Sequence, residues 1–300
     1  MNIWLKRSAV TFGMLGAVAL ATVLLGKHLG ERKMQRVMLV SVEPVEVLTD
    51  GAHIAQGRYL FNTRGCASCH GANGAGLQVM KDEGLLVVAP NITGGAHSAI
   101  SDYNTSDWVR TLRHGVKPNG NPVMIMPSED FNRLSNTDLG SLLGFVQQLP
   151  PVAGRKAVVE LPVKLKLMYA FGMFRDASQK IDHSLPPAAP VLAAASLEHG
   201  AYVANNCISC HGATLNGGRI AGSPASWPDA ANLTPGPGGV MARYPTAAAF
   251  MAMLRSGKRP DGSAVNQAMP FDALGEMNDT DVAALHMYLA SLPPRTPGGN

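Results

Sequence analysis

The chain is 300 residues long, 46% apolar and 6% aromatic, enough for two ordinary domains with separate cores plus extra segments. Its net charge of +4 is unevenly placed: residues 1–36 carry Lys6, Arg7, Lys27, Arg32, Lys33 and Arg36 against Glu31, while the rest holds 19 basic and 20 acidic side chains. The basic balance belongs to the N-terminus, and no basic stripe interleaved with aromatics occurs in the body, which excludes nucleic-acid binding.

Residues 8–26 contain no charge and are flanked by Lys6-Arg7 and Lys27. A helix of that length reaches about 28 Å, close to the hydrocarbon thickness of a bilayer. The competing reading is a cleaved signal peptide with Ala19-Leu20-Ala21 as its processing site. The run Thr22-Val23-Leu24-Leu25 continues past that cut, so residues 1–36 are read as an uncleaved anchor (8–26) with a basic flank. The C-terminal flank has more Lys and Arg than the N-terminal one, contrary to the usual cytoplasmic bias. Residues 37–51, with Pro44 and several Val and Glu, read as an extended tether.

The first domain is expected over 52–151. A helix over 52–63 leads into Cys66-Ala67-Ser68-Cys69-His70. C-x-x-C-H is the attachment signature of c-type haem: two thiols three residues apart each bond a vinyl group, and the following imidazole reaches the iron. The bland alternative is a zinc or redox C-x-x-C with a stray histidine. One chance occurrence is on the order of one in a thousand, and here the motif recurs as Cys207-Ile208-Ser209-Cys210-His211, exhausting the four cysteines. Two covalently bound haem c groups are therefore expected, held by Cys66, Cys69, His70 and by Cys207, Cys210, His211.

The rest of the chain repeats with the same spacing. Cys66 and Cys207 are 141 apart, and Met126-Pro127 and Met269-Pro270 are 143 apart. Asn91-Ile92-Thr93 answers Asn232-Leu233-Thr234; Leu112-Arg113-His114-Gly115 answers Leu254-Arg255-Ser256-Gly257; both copies close on Leu-Pro-Pro. Helices are expected at 105–114 and 246–256, each with its cap as first residue and a glycine at the end. The last helix of the first copy has Ser135 and Asp138 as a capping-box variant and Leu139, Leu142, Leu143 and Val146 on one face. Its counterpart has Asn278 and Asp281, then Val282, Leu285, His286 and Leu289. Residues 152–195 lie outside the repeat: 161–174 is apolar with Lys164 and Lys166 and is expected to pack on a haem domain rather than touch the membrane surface. Residues 184–196 form a stiff Pro/Ala linker. The second domain is expected over 196–294, followed by a tail at 295–300.

Each iron has His70 or His211 on one side and needs a sixth ligand. Met126 and Met269, 56 and 58 residues downstream, are the candidates, with Met124 second in the first domain. An isolated Met is usually core filler; the matched Met-Pro pairs argue for ligation, and a thioether raises the reduction potential. Other histidines carry less: His286 is read as a satisfied core or interface side chain, and His97, His114, His183 and His199 as surface groups. Arg113 and Arg255 suit a haem propionate or a solvated helix end, and Pro90, Asn91 or Asn232 could supply a carbonyl to a proximal imidazole.

With these residues in place, the chain resembles the cytochrome c superfamily, specifically membrane-anchored di-haem c-type cytochromes with two class I-like domains. The pattern C-x-x-C-H, Asn-(Ile/Leu)-Thr, Met-Pro and a capped helix ending Leu-Pro-Pro covers about 50–151 and 196–294. The resemblance implies an all-α fold, two tandem haem domains behind one transmembrane helix, with the haem domains on the periplasmic side of a bacterial inner membrane. It also implies single-electron transfer, as a non-enzymatic carrier or subunit, from a membrane dehydrogenase or quinol-oxidising complex to a downstream carrier or oxidase. A di-haem peroxidase is the enzymatic alternative, which the symmetric Met-Pro pairs oppose; a tethered redox or gas sensor is the third reading, and no signalling module follows the second haem domain.

Overall fold

The structure, a computed structural model, describes residues 3–224 and 226–298. Twelve α-helices and three short strands are described. The chain begins with α1 (Ile3–Met34), whose apolar run is long enough to cross a membrane and is almost entirely exposed to its surroundings. The basic flank expected after the anchor is a continuation of this one helix. Residues 37–49 have no regular structure and lie on the protein: Val45 is buried, and Gly140 and Gly144 let the backbone at Glu46 and Leu48 approach closely.

The first bundle comprises α2 (Gly51–Thr63), α3 (Cys66–His70), α4 (Thr105–His114), α5 (Ser128–Phe131) and α6 (Asn136–Gln147). After α7 (Val163–Ala170), the second bundle repeats the order with α8 (Leu197–Ala204), α9 (Ile208–His211), α10 (Ala247–Ser256), α11 (Phe271–Leu274) and α12 (Asp279–Ser291). In each bundle the first and last helices cross closely at a glycine. A Cβ on Gly57 would stand 2.0 Å from the Ser141 carbonyl oxygen, and one on Gly200 2.1 Å from that of Ala284. Only glycine permits this approach, which brings the apolar faces of the paired helices together. Leu139, Leu142, Leu143 and Val146 of α6, and Val282, Leu285 and Leu289 of α12, are all buried, as their spacing predicts.

The caps follow local chemistry with one shift. Thr246 caps α10 and Ser196 caps α8, but α4 is capped by Asn104 rather than Thr105, because Asn104 and Asp107 satisfy each other's backbone N–H groups in a full capping box. Gly115 and Gly257 end their helices in the left-handed region. The turns after them are equivalent: Gly120 N–H donates to the Lys117 carbonyl and Gly262 N–H to that of Arg259.

The first half also contains elements without counterparts. Strands β1 (Gln78–Asp82) and β2 (Leu85–Val88) form an antiparallel hairpin, and β3 (Val158–Glu160) adds to β2, with Val87 opposite Val159. This small sheet is a minor addition to the expected, mostly helical fold. Leu85, Val87, Met124, Leu161, Tyr169 and Phe174 form a separate apolar cluster beneath it. The apolar stretch 161–174 thus packs on the first half as expected, but its helix α7 also lies against α1. Lys166 pairs with Glu31 at 2.6 Å and Lys33 donates to the Tyr169 carbonyl at 2.8 Å.

Arg36, just past α1, closes this junction by pairing with buried Asp176 at 2.8 Å, while Tyr169 and Ser178 donate to the same carboxylate. Burial pushes the Asp176 carboxyl up, but hydrogen bonds from Arg36, Ser178 and Tyr169 outweigh it and hold the group below the usual carboxylate range. A depressed folded-state pKa stabilises above the ordinary value near 3.8 and loses that contribution as pH falls through the lower folded value. Asp176→Asn, which leaves Arg36 without its counter-charge, is expected to cost roughly 3–5 kcal/mol. It should also flatten the acid limb of the stability profile below about pH 4; denaturant titrations in detergent across that range measure both.

Candidate functional site

Each C-x-x-C-H forms a tight helical turn. In the first copy it is α3; in the second, a 3₁₀ turn (Asn205–Cys207) passes directly into α9. Gly71 and Gly212 follow, both with φ of +78°, reversing the chain where a side chain would be strained. None of the four cysteines is in a disulfide. His70 Nδ1 donates to the Pro90 carbonyl and His211 Nδ1 to the Ala231 carbonyl, each at 2.8 Å. A carbonyl only accepts, so each neutral ring carries its lone pair on Nε2, the tautomer a metal ligand requires. Burial lowers both imidazole pKa values, more than the backbone bonds raise them, and so favours that neutral form. Of the residues expected to supply an accepting carbonyl, Pro90 takes this role. Asn91 and Asn232 instead brace their loops, accepting from Thr93 and Thr234 N–H at 2.8 and 2.9 Å.

The expected methionines lie in the same cores as the motifs. Cys66 and Met126 pack against the first core, Cys207 and Met269 against the second, whereas Met124 is buried in the cluster beneath the sheet. The Met-Pro segments share one conformation: Pro127 has φ −79° and ψ 68°, Pro270 has φ −80° and ψ 72°, and the N–H two residues after each methionine donates to its carbonyl at 2.9 Å.

The donor set suits a covalently attached haem. Burial, then proximity to Cys69, pushes the Cys66 thiol up to about 12; burial, then Asp130, does the same to Cys207. Such an environment keeps an unbonded sulfur protonated rather than as a thiolate. Among the described residues no group of three or more His, Cys, Asp and Glu is arranged to hold a metal ion as an all-protein cage.

The two motifs also face each other's bundles, which sequence reasoning missed. Ser68, inside the first motif, donates to Asp272 of α11 at 2.6 Å, and Ser209, inside the second, donates to Asp130 of α5 at 2.6 Å. Tyr59 of α2 donates to Asp281 at 2.7 Å and accepts from Asn278 N–H; Tyr202 of α8 donates to Asp138 at 2.5 Å and accepts from Ser135 N–H. Gln56 and His199 complete the same carboxylates at 3.0 and 2.7 Å. These contacts form a reciprocal clasp: each domain donates what the other accepts. The signal was present, since Tyr59 and Tyr202, and Asp138 and Asp281, are each 143 apart.

The clasp is not fully symmetric. Buried Asp130 also accepts from the Ser209 N–H at 2.8 Å, and burial pushes its carboxyl up to about 7; Asp272 is exposed. Arg64, buried between the halves, donates to the Val203 carbonyl at 3.2 Å, and its Nε has no partner. Asp138 and Asp281, expected to complete capping boxes, instead give one carboxylate oxygen to the opposite domain's tyrosine and the other to Gln56 or His199 of their own domain, while Ser135 and Asn278 still cap.

Two histidines assigned to the surface are buried. His199 is enclosed because it donates to Asp281; His114 is enclosed by stacking on His183, 5.3 Å between ring centres. Burial, then His183, pushes the His114 imidazole down to about 4. His97 is exposed, and His286 is half-buried, donating to the Tyr244 carbonyl, as a satisfied interior histidine does. Arg113 and Arg255 are not equivalent: Arg113 is buried and donates to the Leu134 carbonyl, with Nε unpartnered, while Arg255 pairs with Asp279 at the surface.

Two helical bundles, each built around a C-x-x-C-H turn and a Met-Pro segment, define a tandem c-type cytochrome. The chain belongs to the cytochrome c family, whose profile matches residues 54–150 and 198–293. It is 25% identical to the fructose dehydrogenase cytochrome subunit of Gluconobacter japonicus, over 96% of this chain and 61% of that protein. It is 26% identical to the cytochrome c subunit of a quinone-type alcohol dehydrogenase of Gluconobacter oxydans, over 54% of this chain and 35% of the relative. It is 29% identical to a subunit of a cbb3-type cytochrome c oxidase of Helicobacter pylori, over 38% of this chain and 34% of the relative. The chain thus spans less than two thirds of each of these relatives. Membership implies covalently bound haem c and electron transfer.

Tyr59→Phe and Tyr202→Phe each remove one hydroxyl from the clasp, leaving a carboxylate and a backbone N–H short of a partner. Each is expected to cost about 1–3 kcal/mol. Hydrogen exchange should accelerate at the caps of α6 or α12 while far-ultraviolet dichroism stays unchanged.

Proposed function

We propose that this protein is a membrane-anchored di-haem cytochrome. It carries single electrons from a membrane dehydrogenase or quinol-oxidising complex to a downstream carrier or oxidase. The observation that carries this reading is the doubled arrangement of a carbonyl-oriented histidine, half-buried cysteines and a Met-Pro segment on one apolar core. In it Cys66, Cys69 and His70 hold one haem with Met126 as sixth ligand, and Cys207, Cys210 and His211 hold the second with Met269. The domains run over 52–151 and 196–294, joined by 152–195.

Haem c supplies a one-electron Fe(III)/Fe(II) couple. The protein's residues set its conditions: Pro90 and Ala231 orient the imidazoles, the apolar cores exclude water, and the clasp holds the two sites in fixed register. Relatives named as dehydrogenase cytochrome subunits support a donor of that kind, and a relative named as an oxidase subunit supports an oxidase as acceptor. Helix α1 anchors the chain in the bacterial inner membrane with the haem domains on the periplasmic side; its length and hydropathy support the span. The near-neutral body suits brief docking to protein partners without strong long-range steering.

Mass analysis of the acid-acetone-treated chain should find two haem additions on the polypeptide. Met126→Ala and Met269→Ala should each lower one reduction potential and open one iron to carbon monoxide; unchanged ligation in both variants overturns the sixth-ligand assignment. Purification of the native protein in mild detergent should retain a dehydrogenase or oxidase subunit, identified by mass spectrometry.

A further inference from the structure

Helix α7 runs back along α1. A Cβ on Gly30 would stand 2.4 Å from the Lys166 carbonyl oxygen, and one on Gly26 would stand 2.3 Å from Leu167 Cδ2 and 3.5 Å from the Phe171 ring. Residue 166 is thus level with Gly30, whereas residues 167 and 171 are level with Gly26, the last residue of the uncharged stretch. The C-terminal end of α7 therefore points toward the part of α1 read as membrane-spanning.

There the chain turns on Phe171-Gly172-Met173. Gly172 has φ of +78°, and the Met173 and Phe174 N–H groups both donate to the Met168 carbonyl, at 2.8 and 3.1 Å. Phe174 then re-enters the cluster beneath the sheet, and Asp176 is held by Arg36. The turn is thus tied on both sides, yet its two large side chains point outward: Phe171 is 60% exposed and Met173 59%. Leu24, Leu25 and Leu29 of α1 are also exposed and extend the apolar surface along the anchor. Lys164 and Arg175, both exposed, flank the segment with positive charge.

We infer that the Phe171-Gly172-Met173 turn is a second membrane contact, inserted beside α1 at the acyl–headgroup boundary, with the flanking basic side chains at the level of anionic headgroups. The occupant is the bilayer because the exposed surface continues that of the anchor and lies at the depth where its uncharged run ends. Such a contact braces the first haem domain against the bilayer at two points, restricting its tilt about the anchor. It also gives Leu161–Phe174 a membrane role in addition to its packing on the domain. The inference rests on the reading of α1 as a membrane span.

The test uses the full-length holoprotein in nanodiscs of phosphatidylcholine and phosphatidylglycerol. p-Benzoylphenylalanine is placed at position 15 in α1, at 171, or at Leu192, an 83% exposed position in the linker. After irradiation, positions 15 and 171 should acquire lipid-mass adducts several-fold above position 192. Adducts at 15 but only background at 171 overturn the turn insertion while the anchor reading stands. Background at both 15 and 171 overturns both. Cross-linking of 171 to a second copy of the chain in place of lipid overturns the inference in favour of a protein interface.

Discussion

The reciprocal clasp between the two haem domains is the constraint on which the arrangement depends. Tyr59 reaches Asp281 while Tyr202 reaches Asp138, and each tyrosine oxygen also takes an N–H from the cap of the opposite domain's last helix. A buried carboxylate is costly unless its oxygens are satisfied, so these pairings tolerate little relative movement of the domains. The serines within the C-x-x-C-H turns are tied into the same interface through Asp272 and Asp130. The C-x-x-C-H turns and the domain packing therefore share a single structural unit.

Duplication explains the paired features, and departures from it show where the halves took on different tasks. The first half acquired the small sheet, the cluster beneath it and the junction among α1, α7 and Arg36. These additions fasten the first domain to α1, while the second domain is held mainly through the first. The haem sites differ electrostatically too. Buried Asp130 presses on the second motif, whereas its counterpart Asp272 is solvated, and Arg64 has no arginine equivalent across the interface. Two motifs with the same residue types around them thus stand in unlike electrostatic surroundings.

Residues whose partners are near in sequence were readable without coordinates. The α6 and α12 cores, the caps at Ser135, Thr246 and Asn278, and the glycine stops follow from spacing within one helix. The misreadings involve long-range partners. His199 looked like a surface side chain because nothing near it in sequence suggests Asp281, 82 residues on. Asp138 looked like half of a capping box, but its carboxylate is taken by Gln56 and Tyr202. Met124 and Met126 are two positions apart: the matched Met-Pro pairs rank Met126 first, and the structure adds that the two side chains lie in different apolar clusters.

Residue order alone set out the motifs of the candidate sites and the doubled, mostly helical design. C-x-x-C-H and Met-Pro carry their meaning in bonds and backbone restrictions that act over a few residues, and a repeated spacing exposes a duplication without any knowledge of shape. Tertiary contacts add that the domains clasp one another, that Pro90 and Ala231 orient the imidazoles, and that α7 turns back along α1. Those outcomes depend on which distant surfaces can bury their polar groups together, and this is a property of three-dimensional packing that no local pattern contains.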